Sequence, residues 1–533
     1  MRRASATLAA AGPAVSAPGA PPPLGVVAWS RIGFGPTPGD LVAFQALGAT
    51  DDERLEALVE QQLDPASIPD TDAETRIAAS GYQTLAKSRA QLWADHVTAG
   101  PPWSERMRPV REIALASFLR AVYSRRQLVE VLADFWHNHF NVYAWDFWTG
   151  PTWVHYDRDV IRAHLLGNFR QMLEAVAKSP PMLFYLDNWT SAADGPNENY
   201  SRELLELHTL GSEHYLGTLP ASQVPLDGGG TPVAFVDEDV FALTRCLTGW
   251  SIAGDPWWDP SNGDGSFLFR AGWHDGGAKT LLGVELPAGQ PGEQDGQDAL
   301  DLLAAHPGTG RHIARKLCRR LIGDEPPVSI VETAAQLFTA QVSAPDQLEQ
   351  VVRVILLSDE FKTTWGDKVR RPFEIVVGAM RAGGADFPFV DGDPDTDTFD
   401  WLYYNTGQDL FSWRAPNGYP DAKEDWVSTG PRVMCWRLLN WLVDSRDDLD
   451  NYRLDAFAQT PAGVRSANAL VDFWVDRVLG RTIADGDRQE LVELMAQGHN
   501  PDFDLPLDTD TSTRERLQAL LGLIFMMPEF LWK

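Results

Sequence analysis

Two short segments hold the residues best suited to chemistry. In the run from Asn197 to His208, a helical winding of about 100° per residue puts Leu204, Leu205, Leu207 and Leu210 on one apolar arc. Glu198, Arg202 and Glu206 lie opposite, four apart, as an exposed ion-pair ladder. Glu203 and His208 fall inside the apolar arc, so the same winding carries a carboxylate and an imidazole inward. A buried carboxylate must be paired, protonated or metal-bound. The second segment, Asp134 to Asn141, closes a helix whose stripe is Leu128, Val131, Leu132, Phe135 and Trp136. If the helix runs through Phe140, His139 points into that stripe and His137 sits near its edge. If the chain is extended after Trp136, both histidines share one side.

Two imidazoles and one carboxylate are the ligand set of a catalytic zinc or similar divalent ion with an open position for water. The expected set is His139, Glu203 and His208, with His137 as a substitute or an outer support. The competing reading makes each a core polar residue satisfied by hydrogen bonds. No His-Glu-x-x-His spacing decides between them.

Other candidates are looser. Gly272 to Lys279 offers His274 and Asp275 as acid and base groups, or else is a hairpin turn. Arg414 and Tyr419, in a Pro- and Gly-bearing loop, either line a substrate pocket or belong to turn chemistry; Trp250 is a further expected substrate contact. Arg311, His312, Arg315, Lys316, Arg319 and Arg320 share one helix face and are expected to pair with carboxylates, or to recognise an anionic group. Twenty tryptophans, clustered at 145 and 148, at 257 and 258, and at 401, 413 and 426, mostly pack. In a cleft they would suit stacking on a glycan or an aromatic ligand. With no Walker loop and no dinucleotide fingerprint, a nucleotide cofactor is not expected; a Gly-x-Ser-x-Gly elbow is also missing.

The elements that must position these residues read as helices. Helical periodicity marks Asp51 to Leu63, Met107 to Ser124, Gln127 to Phe140, Val160 to Lys178, Asn197 to Leu210 and Val236 to Gly249. It continues through Gln297 to Ala305, Arg311 to Ile322, Val328 to Val342, Asp346 to Ser358, Pro372 to Ala382 and Pro431 to Asp444, and ends with Ala467 to Leu479, Asp487 to Gly498 and Arg514 to Met527. Residues 211–235 read as a surface loop. Ser266 to Arg270 and Thr280 to Leu286, flanking Gly276 and Gly277, read as a small β-hairpin. Residues 384–430 read as an ordered loop region. The fold class is therefore mainly α: a large multi-helix globular array with a small β-hairpin and long ordered loops.

At 533 residues the chain exceeds what one core usually supports, so packed lobes are expected. A net charge of −29 disfavours nucleic acid and anionic membranes as partners, and no apolar run reaches spanning length. Three scattered cysteines suit buried free thiols better than disulfides or a thiolate zinc site. Residues 1–26 form a flexible Pro- and Ala-rich head or a degenerate export signal beginning Met1-Arg2-Arg3; its short, proline-broken apolar stretch leaves export and cytoplasmic location both open.

Several segments together carry a resemblance: Arg31 to Pro38, Phe135 to Phe140, Asn197 to Leu204 with Glu206 to Gly211, Leu247 to Trp250, Phe269 to Gly283, Arg371 to Glu374, Pro416 to Pro420, and Pro528 to Leu531. In this order they resemble the bacterial domain-of-unknown-function (DUF) 1800 family, over nearly all the chain after Val27. The resemblance implies a largely helical bacterial protein, often exported, and carries no catalytic role onto any position. Residues 27–533 are expected to be one such domain, with two lobes dividing near 211–300. The residue chemistry leads to a metal-dependent hydrolase or oxidoreductase on an extracytoplasmic glycan or small polar substrate. The alternative is a noncatalytic helical binding or assembly protein; oligomeric state is not legible.

Overall fold

The computed structural model describes residues 21–254, 261–446 and 451–533. The start of the expected head, and Trp257 and Trp258, lie outside these residues. Helices run from Leu24–Ile32 to Pro528–Leu531, and the described strands make only two short antiparallel pairs. One continuous apolar cluster extends from Ala28 to Phe530. No helix among the described residues is long and apolar enough to cross a membrane.

Local sequence explains how this array is held. Helix Asp51–Leu63 starts on a reciprocal cap in which the Thr50 hydroxyl accepts from Glu53 N–H while the Glu53 carboxylate accepts from Thr50 N–H. It buries Leu55, Leu58, Val59, Gln62 and Leu63. Gln62 then accepts from Leu128 N–H at 3.1 Å and donates to the Arg125 carbonyl at 3.0 Å, which fixes the start of helix Gln127–His139. Helix Pro372–Gly383 is buried at every residue. Helices Arg108–Tyr123, Thr429–Val443 and Ala467–Leu479 pack around it.

The expected helices form, with differences that have physical causes. Val160 to Lys178 is broken: a π-helical turn, Tyr156–Ile161, precedes helix Phe169–Ala177. Asn168 caps that helix while its amide donates to the carbonyls of Val342 and Ala344, which draws the backbone out of helical path. Asn197 to Leu210 is split into Asn199–Glu203 and a π-helical turn, Leu204–His208. The single hairpin is corrected to two pairs, Trp250–Ile252 with Phe267–Phe269 and Lys279–Leu281 with Val284–Leu286. The tight turn falls at Leu282 and Gly283, whose φ values are 49° and 76°, and not at Gly276 and Gly277. Residues 384–430 contain helix Pro394–Tyr404, capped by Asp393; its aspartate-rich first turn conceals the apolar period.

Candidate functional site

The end of helix Gln127–His139 is the hub of the molecule. Asn138 donates its amide to the Tyr419 carbonyl at 2.9 Å and accepts from Tyr419 N–H at 2.7 Å. Asn141 donates to the carbonyls of Trp413 and Ala415, and Tyr185 donates its hydroxyl to the Arg414 carbonyl. Gly418 makes this closeness possible. Its φ is +71°, and a Cβ there would lie 2.2 Å from the Asn138 carbonyl oxygen. On the other side, His139 Nε2 meets the His208 carbonyl at 3.2 Å. Three of the segments singled out in the sequence thus converge on one helix terminus.

Beneath the 408–419 segment lies a cavity of about 50 Å³, lined among others by Asp134, His137, Arg162, Arg371, Gln408 and Tyr419. That is room for a few waters or one small polar group. The His137 ring is buried, and its Nε2 stands 3.0 Å from Asp157. Arg162 grips Asp157 through Nε at 3.0 Å and binds Glu130 in a bidentate fork at 2.9 Å. Burial opposes the Asp157 charge, yet Arg162, His137 and Arg120 hold its carboxyl below the ordinary range. An ionised Asp157 only accepts, so His137 Nε2 carries the proton, and in the neutral ring Nδ1 presents its lone pair. Nδ1 is buried and has no partner among the described residues.

A second ion network backs the cavity. Asp134 pairs with Arg371 and, at 3.3 Å, with Arg320. Glu374 receives Arg320 at 2.5 Å, the Lys533 ammonium and the Arg371 N–H. Burial works against the charge of Glu374, but Arg320, Lys533 and Arg371 hold its carboxyl well below the usual range.

The expected ligand set is not assembled. Among the described residues no three His, Cys, Asp or Glu side chains are placed to hold a metal ion. His139 and His208 are both buried, with ring centroids 6.2 Å apart, and a third imidazole, His312, lies 6.1 Å from His139. Glu203 is half-buried and makes no hydrogen bond or ion pair among the described residues; burial and then Glu206 raise its carboxyl, against Arg202. A π-helical turn, Leu204–His208, replaces the expected α-helix here; His208 is buried as expected, while Glu203 is left half-buried. His137 is engaged with Asp157 instead.

His208 is fully buried with neither nitrogen partnered among the described residues. Burial, then Lys316 and His312, lowers its imidazole to about 3; burial likewise lowers His139 and His312. These folded values lie below the unfolded value of 6.5, so below that pH the unfolded chain takes up more protons and stability falls with acid. Calorimetry in excess EDTA is expected to show the melting temperature dropping from pH 6.5 downward. His208→Leu should flatten that slope and raise neutral-pH stability by about 1–3 kcal/mol. Destabilisation by this variant would show that His208 is not left unsatisfied in the folded chain.

The remaining candidates fare differently. His274 is occupied at both nitrogens, by the Thr248 carbonyl at 2.9 Å and by Asp295 at 3.1 Å. Asp275 forms a salt bridge with Arg245 at 2.6 Å, which lowers its carboxyl to about 2. Both fix the loop between the strand pairs, and neither reaches the cavity lining. Trp250 is fully buried against Phe267, which puts it in the core and out of reach of substrate. Tyr419 lines the cavity, and Arg414 lines a neighbouring open cleft. The basic helix face pairs as expected through Arg311, Arg315, Arg319 and Arg320. The three cysteines are free and buried. Sequence reasoning missed Asp157, Arg162 and Asp409; no spacing motif marks them.

Fold and site together define a mainly helical protein with a small cavity lined by charged residues and bordered by a long loop. Residues 27–532 match the family described as "Protein of unknown function (DUF1800)", and the chain belongs to that family. No curated protein and no solved structure matches it.

Proposed function

We propose that the protein is an enzyme performing acid–base chemistry on a small polar group of its substrate, with His137 as the proton-transferring residue. One observation carries this reading: a buried imidazole lining a cavity, oriented by a carboxylate through one nitrogen and unpartnered at the other. That is the arrangement of a general base whose third group sets tautomer and direction. Arg162 and Glu130 hold Asp157 in place, and Arg371 supplies a fixed positive charge at the same cavity. A divalent ion enters this reading only through the unpartnered nitrogens of His139 and His208, and elemental analysis of untagged protein tests it.

The reaction test is mass-spectrometric detection of products from a panel of neutral oligosaccharides, esters and amides. His137→Gln is expected to lower turnover by about 10²–10⁴-fold with the far-UV spectrum unchanged, and Asp157→Asn to do so less cleanly, because Arg162 loses a partner. Equal turnover by the wild type and His137→Gln would sink the proposal. An assembly protein, by contrast, would turn over nothing and lose stability in both variants.

A further inference from the structure

An open cleft of about 720 Å³ lies beside the cavity, lined by Trp103, Tyr143, Trp145, Tyr404, Trp413 and Arg414 together with Asp409 and Ser412. Its size falls in the range of about 300–1,000 Å³ typical of small-molecule sites. Cavity and cleft share their walls. Asn141, Gln408, Leu410 and Phe411 face the cavity, whereas Tyr143, Trp145, Asp409 and Trp413 face the cleft.

Three of the aromatic rings, those of Trp413, Trp145 and Tyr143, are fixed by polar tethers. Trp413 donates Nε1 to Asn417 at 2.9 Å, Trp145 donates Nε1 to the Leu410 carbonyl at 3.3 Å, and the Arg414 guanidinium sits 4.5 Å over the Tyr143 ring while bonding its hydroxyl. Trp103 and Tyr404 stay 54% and 62% exposed. The tethered rings offer contact area at little ordering cost, and the two exposed ones add surface at the rim.

We infer that this cleft binds a neutral oligosaccharide, stacking the apolar faces of its sugar rings on Trp103 and Trp413 and bonding its hydroxyls through Asp409, Ser412 and Arg414. Aromatic faces alone would suit any flat ligand. The carboxylate, hydroxyl and guanidinium set among them matches a ligand with an apolar face and a rim of donors and acceptors, which is a pyranose. A net charge of −29 disfavours polyanions, nucleic acid and acidic glycans among them. Burial raises the Asp409 carboxyl to about 6, and burial with Asp409 raises Asp400 to about 7.

The inference rests on the acid–base reading only in setting the reacting bond beside His137; binding stands by itself. The test is tryptophan fluorescence and calorimetric titration of the full chain with β-1,4-linked hexamers of glucose, N-acetylglucosamine, xylose and mannose. At least one is expected to bind. Trp103→Ala, on an exposed ring, and Trp413→Phe should weaken it about tenfold and threefold, equivalent to about 1.4 and 0.7 kcal/mol. His137→Gln should leave binding unchanged while turnover is lost, so failure of the catalytic reading shows as binding without any His137 effect on turnover. Binding of no hexamer at 10 mM overturns the inference, as does binding indifferent to both tryptophan variants, or equal affinity for a sugar-free phenol.

Discussion

Replacing Glu374 with Gln is expected to lower the free energy of unfolding by about 3–5 kcal/mol, because it leaves buried cations without their carboxylate. Arg320, Arg371 and Lys533 all lean on this side chain, and each is buried. Asp134 remains for the two arginines but is not among the partners of Lys533. The ammonium of Lys533 is already pushed well down by burial and Arg320, which places the effect toward the lower end. The pH dependence has a definite sign. Glu374 has a folded value depressed below 4.5, so its contribution is fully present above that pH and is lost as pH falls through the folded value. Urea unfolding should therefore show the full gap between wild type and variant at pH 7 and a narrowing gap in acid. Coincident midpoints at pH 7 would show that the network is neutral.

The second large effect is expected at Gly418. An added Cβ would stand 2.2 Å from the Asn138 carbonyl oxygen and 2.8 Å from its side-chain oxygen, at a residue with φ of +71°. Both contacts are with the helix end that Tyr419 grips, so the loop must lift. Gly418→Ala should cost on the order of 3 kcal/mol, combining left-handed strain and overpacking. The damage should be local before it is global: residues 408–421 should gain hydrogen exchange while the buried helix Pro372–Gly383 keeps its protection. Unchanged exchange across the loop would show that the clamp is not what holds it.

The helical body was legible because its apolar residues recur at helical spacing; Asp51–Leu63 forms with the stripe read from sequence. His139 was legible for the same reason, since an α-helix does carry it inward. Glu203 was placed too deep because a wheel gives an angle within one helix and not the depth to which neighbouring elements cover it, and the structure leaves this side chain half-buried. The His137–Asp157 pair escaped notice because another π-helical turn, Tyr156–Ile161, sets the orientation of Asp157. The Asp134–Arg371 and Glu374–Arg320 pairs are tertiary and leave no local pattern. Asp409 sits in a loop whose path is decided by Asn138 and Asn141, far back in the chain.

The clamp between Asn138 and Tyr419 joins positions 281 apart in sequence. Ordering so long an intervening stretch before any contact is gained is entropically slow. During synthesis the imidazole and its carboxylate partner emerge together, but their roof is not made until most of the polypeptide has left the ribosome. A nascent or truncated chain therefore holds an unfinished pocket open to water.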